Sequence, residues 1–247
     1  MADRSFMGRG PIYIKVKGAS GGMQAIGNCS QLEVSFEDEE VTQPDFTRAG
    51  GGSANKVTRV GDATGNMTML DFSSANLALA LRGTSVAVPA SAVTDEAHST
   101  IGGSDDEFIP FDEMPDVTQP ITVRKTDATA LVEGTDYTRE NGGIKIIGSG
   151  GIDNTGILVN YTVAAYENLE ALTNSGLEYE LLFNGLNEAQ GGKLVTVRLW
   201  RVKFNPATGV GFISDEFGNL EVPFTALNDP AITATDESQV MRVRQVL

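Results

Sequence analysis

The chain has 247 residues with 33 Asp and Glu against 18 Lys and Arg, a formal net charge of -15, and a chain of that length hides roughly 70 to 75 per cent of its unfolded surface on folding. This acidity repels nucleic-acid phosphates and anionic lipid. The single cysteine, Cys29, excludes an intrachain disulfide or a Cys-based zinc site, and the single histidine, His98, leaves the usual triads and His metal sites short of groups.

The N-terminus lacks the apolar run of a signal peptide, and no stretch approaches about eighteen uninterrupted apolar residues, so synthesis and retention in the cytoplasm without membrane binding are expected. The first clear element is a strand. Leu32, Val34 and Phe36 alternate with Gln31, Glu33, Ser35 and Glu37, which gives one core face and one acidic face. The segment 42–56 that follows is longer than the two to five residues a hairpin needs. Its Gly50, Gly51, Gly52 and Ser53 do not fold by themselves, and two readings stay open: a segment ordered by a neighbouring subunit, or a mobile surface loop.

The sequence LDFSSANLALALRG predicts a helix of two to three turns, with Ser73 and Ser74 as caps, Leu77 and Leu81 on its apolar face and Gly83 closing it. A lone amphipathic helix must bury its face against the strands. His98 sits in a polar, turn-rich stretch and is expected to be a solvent-exposed loop residue. Asp105, Asp106, Glu107, Asp112 and Glu113 lack the ligand spacing of a calcium loop and read as solvated charge. Residues 116–166 read as an inserted small β module: strands at ITVRK, at TDYTRENGGIKII with an Asn141-Gly142 turn, and at ILVNYTVAAY. The main domain is then discontinuous, 1–115 and 167–247. Gly148, Gly150 and Gly151 make a hairpin turn rather than a phosphate loop, since no helix follows. The sequons at Asn28, Asn66 and Asn160 are chance matches without a secretory signal.

Further on, Leu177, Tyr179, Leu181 and Phe183 alternate with Glu178 and Glu180, and after a Gly turn a second long strand returns. Strict alternation there puts Val195, Val197, Leu199, Arg201 and Lys203 on one face and Thr196, Arg198, Trp200, Val202 and Phe204 on the other, so both faces are expected to meet protein. The last strand, QVMRVRQVL, can pair within its subunit or across to another.

The order of these elements resembles the major tail tube proteins of long, flexible-tailed bacteriophages. The resemblance covers most of the chain: the acidic strand LEVSFEDEE with its long loop, the helix ANLALALRG, and above all LEYELLFNGLNEAQGGKLVTVRLWRVKFNPATGVGFISDEFGNLEVPFTALNDP. It implies a mainly β fold, a β-sandwich or barrel with one short flanking α-helix, plus the inserted module on the tube exterior. It also implies a structural protein of the virion tail, assembled in the host cytoplasm, whose rings, commonly hexameric, stack into a hollow tube through which DNA leaves. Partners implied are further copies of the chain and the tape-measure, tail terminator and tail tip proteins; no cofactor and no catalysis are implied. On this resemblance Glu33, Glu37, Glu39, Glu178 and Glu180 are candidates for lumen charge, where carboxylates keep passing DNA from sticking, and ordinary solvated strand faces remain the alternative for each. Phe46, Arg48, Gly50, Gly51, Gly52 and Ser53 are candidates for an inter-ring loop. Two other classes stay open: a β-rich receptor-binding or adhesin-like virion module, and a carboxylate hydrolase, for which no cleft is located.

Overall fold

The alternating patterns do build strands: a computed structural model, describing residues 4–47, 49–102, 105–174 and 176–246, is mainly β, with several antiparallel sheets and one α-helix among the described residues. The chain divides into two units, Met1–Ser85 with Leu169–Leu247, and Val86–Asn168.

In the first unit the elements are β1 (Gly8–Arg9), β2 (Ile12–Val16), β3 (Gln24–Ala25), β4 (Cys29–Pro44), β5 (Ser53–Met69), α1 (Ser74–Ala80) and β6 (Thr84–Val88), the last running across the unit boundary. The second unit holds β7 (Ser91–His98), β8 (Phe108–Pro110), β9 (Thr122–Lys125), β10 (Ala130–Leu131), β11 (Tyr137–Glu140), β12 (Gly143–Ile146) and β13 (Ile157–Val163). Then β14 (Tyr166–Glu170) pairs with β6 and returns the chain to the first unit, which ends in β15 (Tyr179–Asn187), β16 (Lys193–Phe204), β17 (Leu220–Ala226) and β18 (Met241–Gln245).

The first unit is built on a nine-stranded sheet in the order β3-β2-β15-β16-β17-β5-β4, with β1 added on β15 and β18 on β16. One face of this sheet carries the core, with Met67, Met69, Leu181, Leu199, Val202, Leu220, Val222 and Phe224 buried together with Leu79 and Ala80 of α1. Gly65 stands opposite Phe224 in the register, and a Cβ there would collide with the Phe224 ring and the Glu33 carbonyl, so only glycine lets that ring lie across β5. The helix begins at Ser73, whose Oγ accepts from the Asn76 N–H at 3.3 Å. Its closure differs from the expected glycine cap. Arg82 takes the left-handed φ of 48° and sends its guanidinium to the Phe204 carbonyl, while the Gly83 N–H donates to the Ala78 carbonyl.

Strict alternation fails in β16. Tyr179 pairs with Val202 but Leu181 pairs with Leu199, so β16 carries one extra residue there. This bulge turns the second half of the strand over. Val202 and Phe204 join Val195 and Leu199 in the core, while Arg201 and Lys203 emerge on the same face as Arg198. The expected pairing of Arg201 with the Val195 face is therefore corrected. The C-terminal strand β18 pairs within its own chain, on β16.

The second unit has its own core of Ile109, Phe111, Ile121, Val123, Tyr137, Ile144, Ile146, Ile157, Val159, Tyr161 and Val163, between a sheet ordered β10-β9-β13-β7 and another ordered β11-β12-β8. The expected module boundary at 116 is moved by this. Strand β7 pairs with β13, and β8 with β12, so both precede residue 116 yet complete the module's two sheets. The unit begins at Val86 and ends at Asn168.

Candidate assembly surfaces

The longest pairing in the protein, β4 with β5, changes character halfway along. Near the sheet Leu32 and Val34 pack on the core opposite Met67 and Gly65. Between Phe36 and Asp38 the register shifts, and Gly61 fits there because a Cβ would lie 2.8 Å from the Glu37 carbonyl. Beyond the shift the ribbon continues as a two-stranded arm of seven residues on β4, about 24 Å at 3.4 Å per residue. Among the described residues from Phe36 and Glu37 at the root of the arm round to Arg59, all but the half-buried Asp45 are exposed. Val41 and Val57 face each other in register and are exposed, and Phe46 at the tip is 88% exposed.

The expected long loop 42–56 is shorter than the sequence suggests. Pairing runs on through Gln43 with Asn55 and Pro44 with Ser53, leaving a loop of 45–52 closed by the Asp45 N–H to the Gly52 carbonyl at 2.7 Å. Gly50, Gly51 and Gly52 all have positive φ, which is where their lack of a side chain is used. Ser53 is the first residue of β5 rather than a loop residue. Arg48 lies outside the described residues.

The five candidate carboxylates split into two groups. Glu33, Glu37 and Glu39 are exposed on β4, with Glu33 opposite Asn66 and Glu39 opposite Arg59. Glu178 and Glu180 are different, because their charge is met on the same sheet face. Arg201 grips Glu178 with two hydrogen bonds of 2.6 and 2.7 Å, which hold that carboxyl below its usual range. Glu180 is only 8% exposed. Burial alone would raise its pKa, but the hydrogen bond from Arg198 at 2.7 Å and the charges of Lys15, Arg198 and Lys17 outweigh that and lower it. Lys17 also reaches Asp229 at 2.5 Å. These two glutamates are members of an ion-pair network and present no free negative charge, which corrects the expectation for them.

The network leaves an arginine-rich margin that strand alternation alone does not reveal. The cross-strand pairs Thr196 with Arg244 and Arg198 with Arg242 bring three guanidinium groups together. Two of them lie over the Trp200 ring, with the guanidinium carbons of Arg198 and Arg242 at 4.5 and 5.1 Å from its centre. The signal was present as Arg242 and Arg244 two residues apart, but nothing in sequence says that β18 lies beside β16.

Two more features stand out. The connection between β16 and β17 exposes Phe212, Ile213 and Phe217. In the second unit His98, expected in an exposed loop, ends β7 with its side chain 14% exposed, and its Nε2 lies 2.6 Å from Glu96. The ring stacks on Phe111, which stacks on Tyr161, and the Tyr161 hydroxyl donates to Glu96. The strand pairing of β7 with β13 supplies the cover that a solvated loop lacks. Burial opposes ionisation of Glu96, but the hydrogen bonds from Tyr161, the Asp112 N–H and His98 hold its pKa below the usual value. No group of three or more His, Cys, Asp or Glu side chains arranged to hold a metal occurs among the described residues. No helix among the described residues is long and apolar enough to cross a membrane.

The family described as "Protein of unknown function UCP028589" matches residues 5–244. The chain belongs to this family. No curated protein matches it.

Proposed function

We propose that the protein is a structural subunit that assembles with copies of itself into stacked rings, forming a hollow tail tube of the kind the sequence resembles. The observation that carries this is the arm of β4 and β5. A two-stranded ribbon standing free in water is marginal by itself, yet this one keeps its register to Pro44 and Ser53 with exposed Val41, Val57 and Phe46 along it. Burying such side chains against another copy contributes about 1.5 to 3 kcal/mol for each one fully covered. The exposed Phe212, Ile213 and Phe217 add a second apolar surface of the same kind.

In this reading the first unit forms the tube wall and the second decorates its exterior. Glu33, Glu37 and Glu39 remain the acidic candidates for the lumen or for contacts near it; Glu178 and Glu180 serve the wall's own stability. The role is architectural rather than catalytic, with double-stranded DNA passing through the tube.

Negative-stain microscopy of the concentrated protein tests it, together with a variant lacking residues 50–53. Rings or tubes from the parent, and their loss from a shortened variant that still unfolds cooperatively, are expected. A monomeric parent, or normal tubes from the shortened variant, overturns the role given to the arm.

A further inference from the structure

A surface groove of about 280 Å³ lies on the face of the nine-stranded sheet opposite its core, lined by Leu182, Thr196, Arg198, Trp200, Arg242 and Arg244. Three of the six lining residues are arginines and none is acidic. In a chain with only 18 cationic side chains against 33 anionic ones, this is a concentrated positive site. Its cations are incompletely used. Arg198 reaches Glu180 through one terminal nitrogen, but its buried Nε has no hydrogen-bond partner. Arg242 pairs with Glu237 at 2.5 Å, while Arg244 is exposed and forms no ion pair among the described residues.

We propose that this groove receives the acidic β4 edge of the arm from a second copy of the chain. The contact rests on the stacked-ring reading and names the surface that the arm meets. Three properties of the arm match the groove. Residues 37–40 are four consecutive carboxylates, Glu37, Asp38, Glu39 and Glu40; Lys56 on β5 pairs with Glu40 at 2.6 Å and Arg59 stands opposite Glu39, so Glu37, Asp38 and Glu39 are the ones offered to a partner. Alternate residues of an extended strand repeat at about 6.8 Å, so carboxylates two apart on β4 have the spacing of Arg242 and Arg244 on β18. The arm also carries exposed apolar side chains, Phe36, Val41 and Phe46, and the groove offers Leu182 and the Trp200 indole beside its charges. A second copy is favoured over DNA because the arm brings apolar side chains for Leu182 and Trp200 together with its carboxylates, whereas a phosphate backbone matches only the charges.

A charge exchange in the full chain tests the proposal, with self-association followed by light scattering and particles viewed in negative stain. The groove variant is R242E with R244E, the arm variant is E37R with E39R, and the third protein carries all four substitutions. R244E alone provides a milder groove variant, since Arg244 holds no ion pair among the described residues, and thermal unfolding checks that each protein is folded. Each reversal is expected to raise the concentration for half-association by about tenfold or more, and the combination to return most of that loss, with the effect fading as salt rises. A combined variant that associates no better than the weaker single one overturns the contact. Tubes from the parent without charge rescue mean that the contact is wrong and the tube reading stands. Charge rescue of small oligomers without tubes means the reverse. Binding of a labelled DNA duplex that R244E abolishes, with self-association unchanged, assigns the groove to phosphate and overturns the proposal, as does a parent that stays monomeric throughout.

Discussion

The two halves of the β4–β5 ribbon share one backbone pairing and almost nothing else. In the proximal half, Met67 and Met69 are fully buried and Leu32 and Val34 press on the same core. In the distal half, Val41 and Val57 pair as closely in register but remain in water. Ladder hydrogen bonds therefore fix the shape of both halves, whereas burial stabilises only one within the subunit. A β-ribbon that keeps its strand residues without a core to cover them is suited to being covered by something else.

The comparison breaks first at Met67. Met67→Ala is expected to lower the stability of the isolated subunit by about 3 kcal/mol, read by urea unfolding, because it leaves a cavity in a fully enclosed site. A loss below about 1 kcal/mol would mean that the proximal half is no better anchored than the arm. Gly65→Ala follows, at about 2 kcal/mol, since its new methyl must displace the Phe224 ring or the Glu33 carbonyl.

Electrostatics on the outer face of the same sheet gives a smaller effect with a defined sign. Glu178, Glu180 and Asp229 all have folded-state pKa values below their ordinary ones. Their stabilisation is thus present above the unfolded-state values, near 4, and is lost as pH falls through the lower folded values. Glu180→Gln should cost about 1 kcal/mol at pH 7 and flatten the loss of stability between pH 5 and 3, as followed by thermal unfolding. An unchanged pH profile would remove Glu180 from the network. The smallest change is expected in the arm itself. Val41→Ser with Val57→Ser should shift subunit stability by less than about 0.5 kcal/mol while weakening self-association in light scattering. Equal damage to folding would show that the arm belongs to the subunit's own core.

Much of this was legible in the chain. Period-two alternation marked β4, β15 and β18, a strand-and-turn series marked β9, β11, β12 and β13, and Ser73 with the following leucines marked α1, because these signals are local and each side chain's direction follows from the backbone period. Three matters were not. The bulge in β16 exchanged the faces of Arg201, Val202, Lys203 and Phe204, and only pairing with β15 fixes where an extra residue falls. The inserted unit begins at Val86 because β7 and β8 find distant partners, β13 and β12, that no local pattern names.

The acidity of alternate strand positions was likewise fixed by sequence, but the meaning of each carboxylate was not. Glu33 and Glu180 occupy equivalent positions in the strand pattern, one exposed and one buried under Arg198, Lys15 and Lys17. Composition and period determine which residues leave the core. Which charges meet across neighbouring strands is set by sheet order and register, and these arise from contacts between residues far apart in the chain, so only the tertiary structure decides whether a carboxylate is free or neutralised.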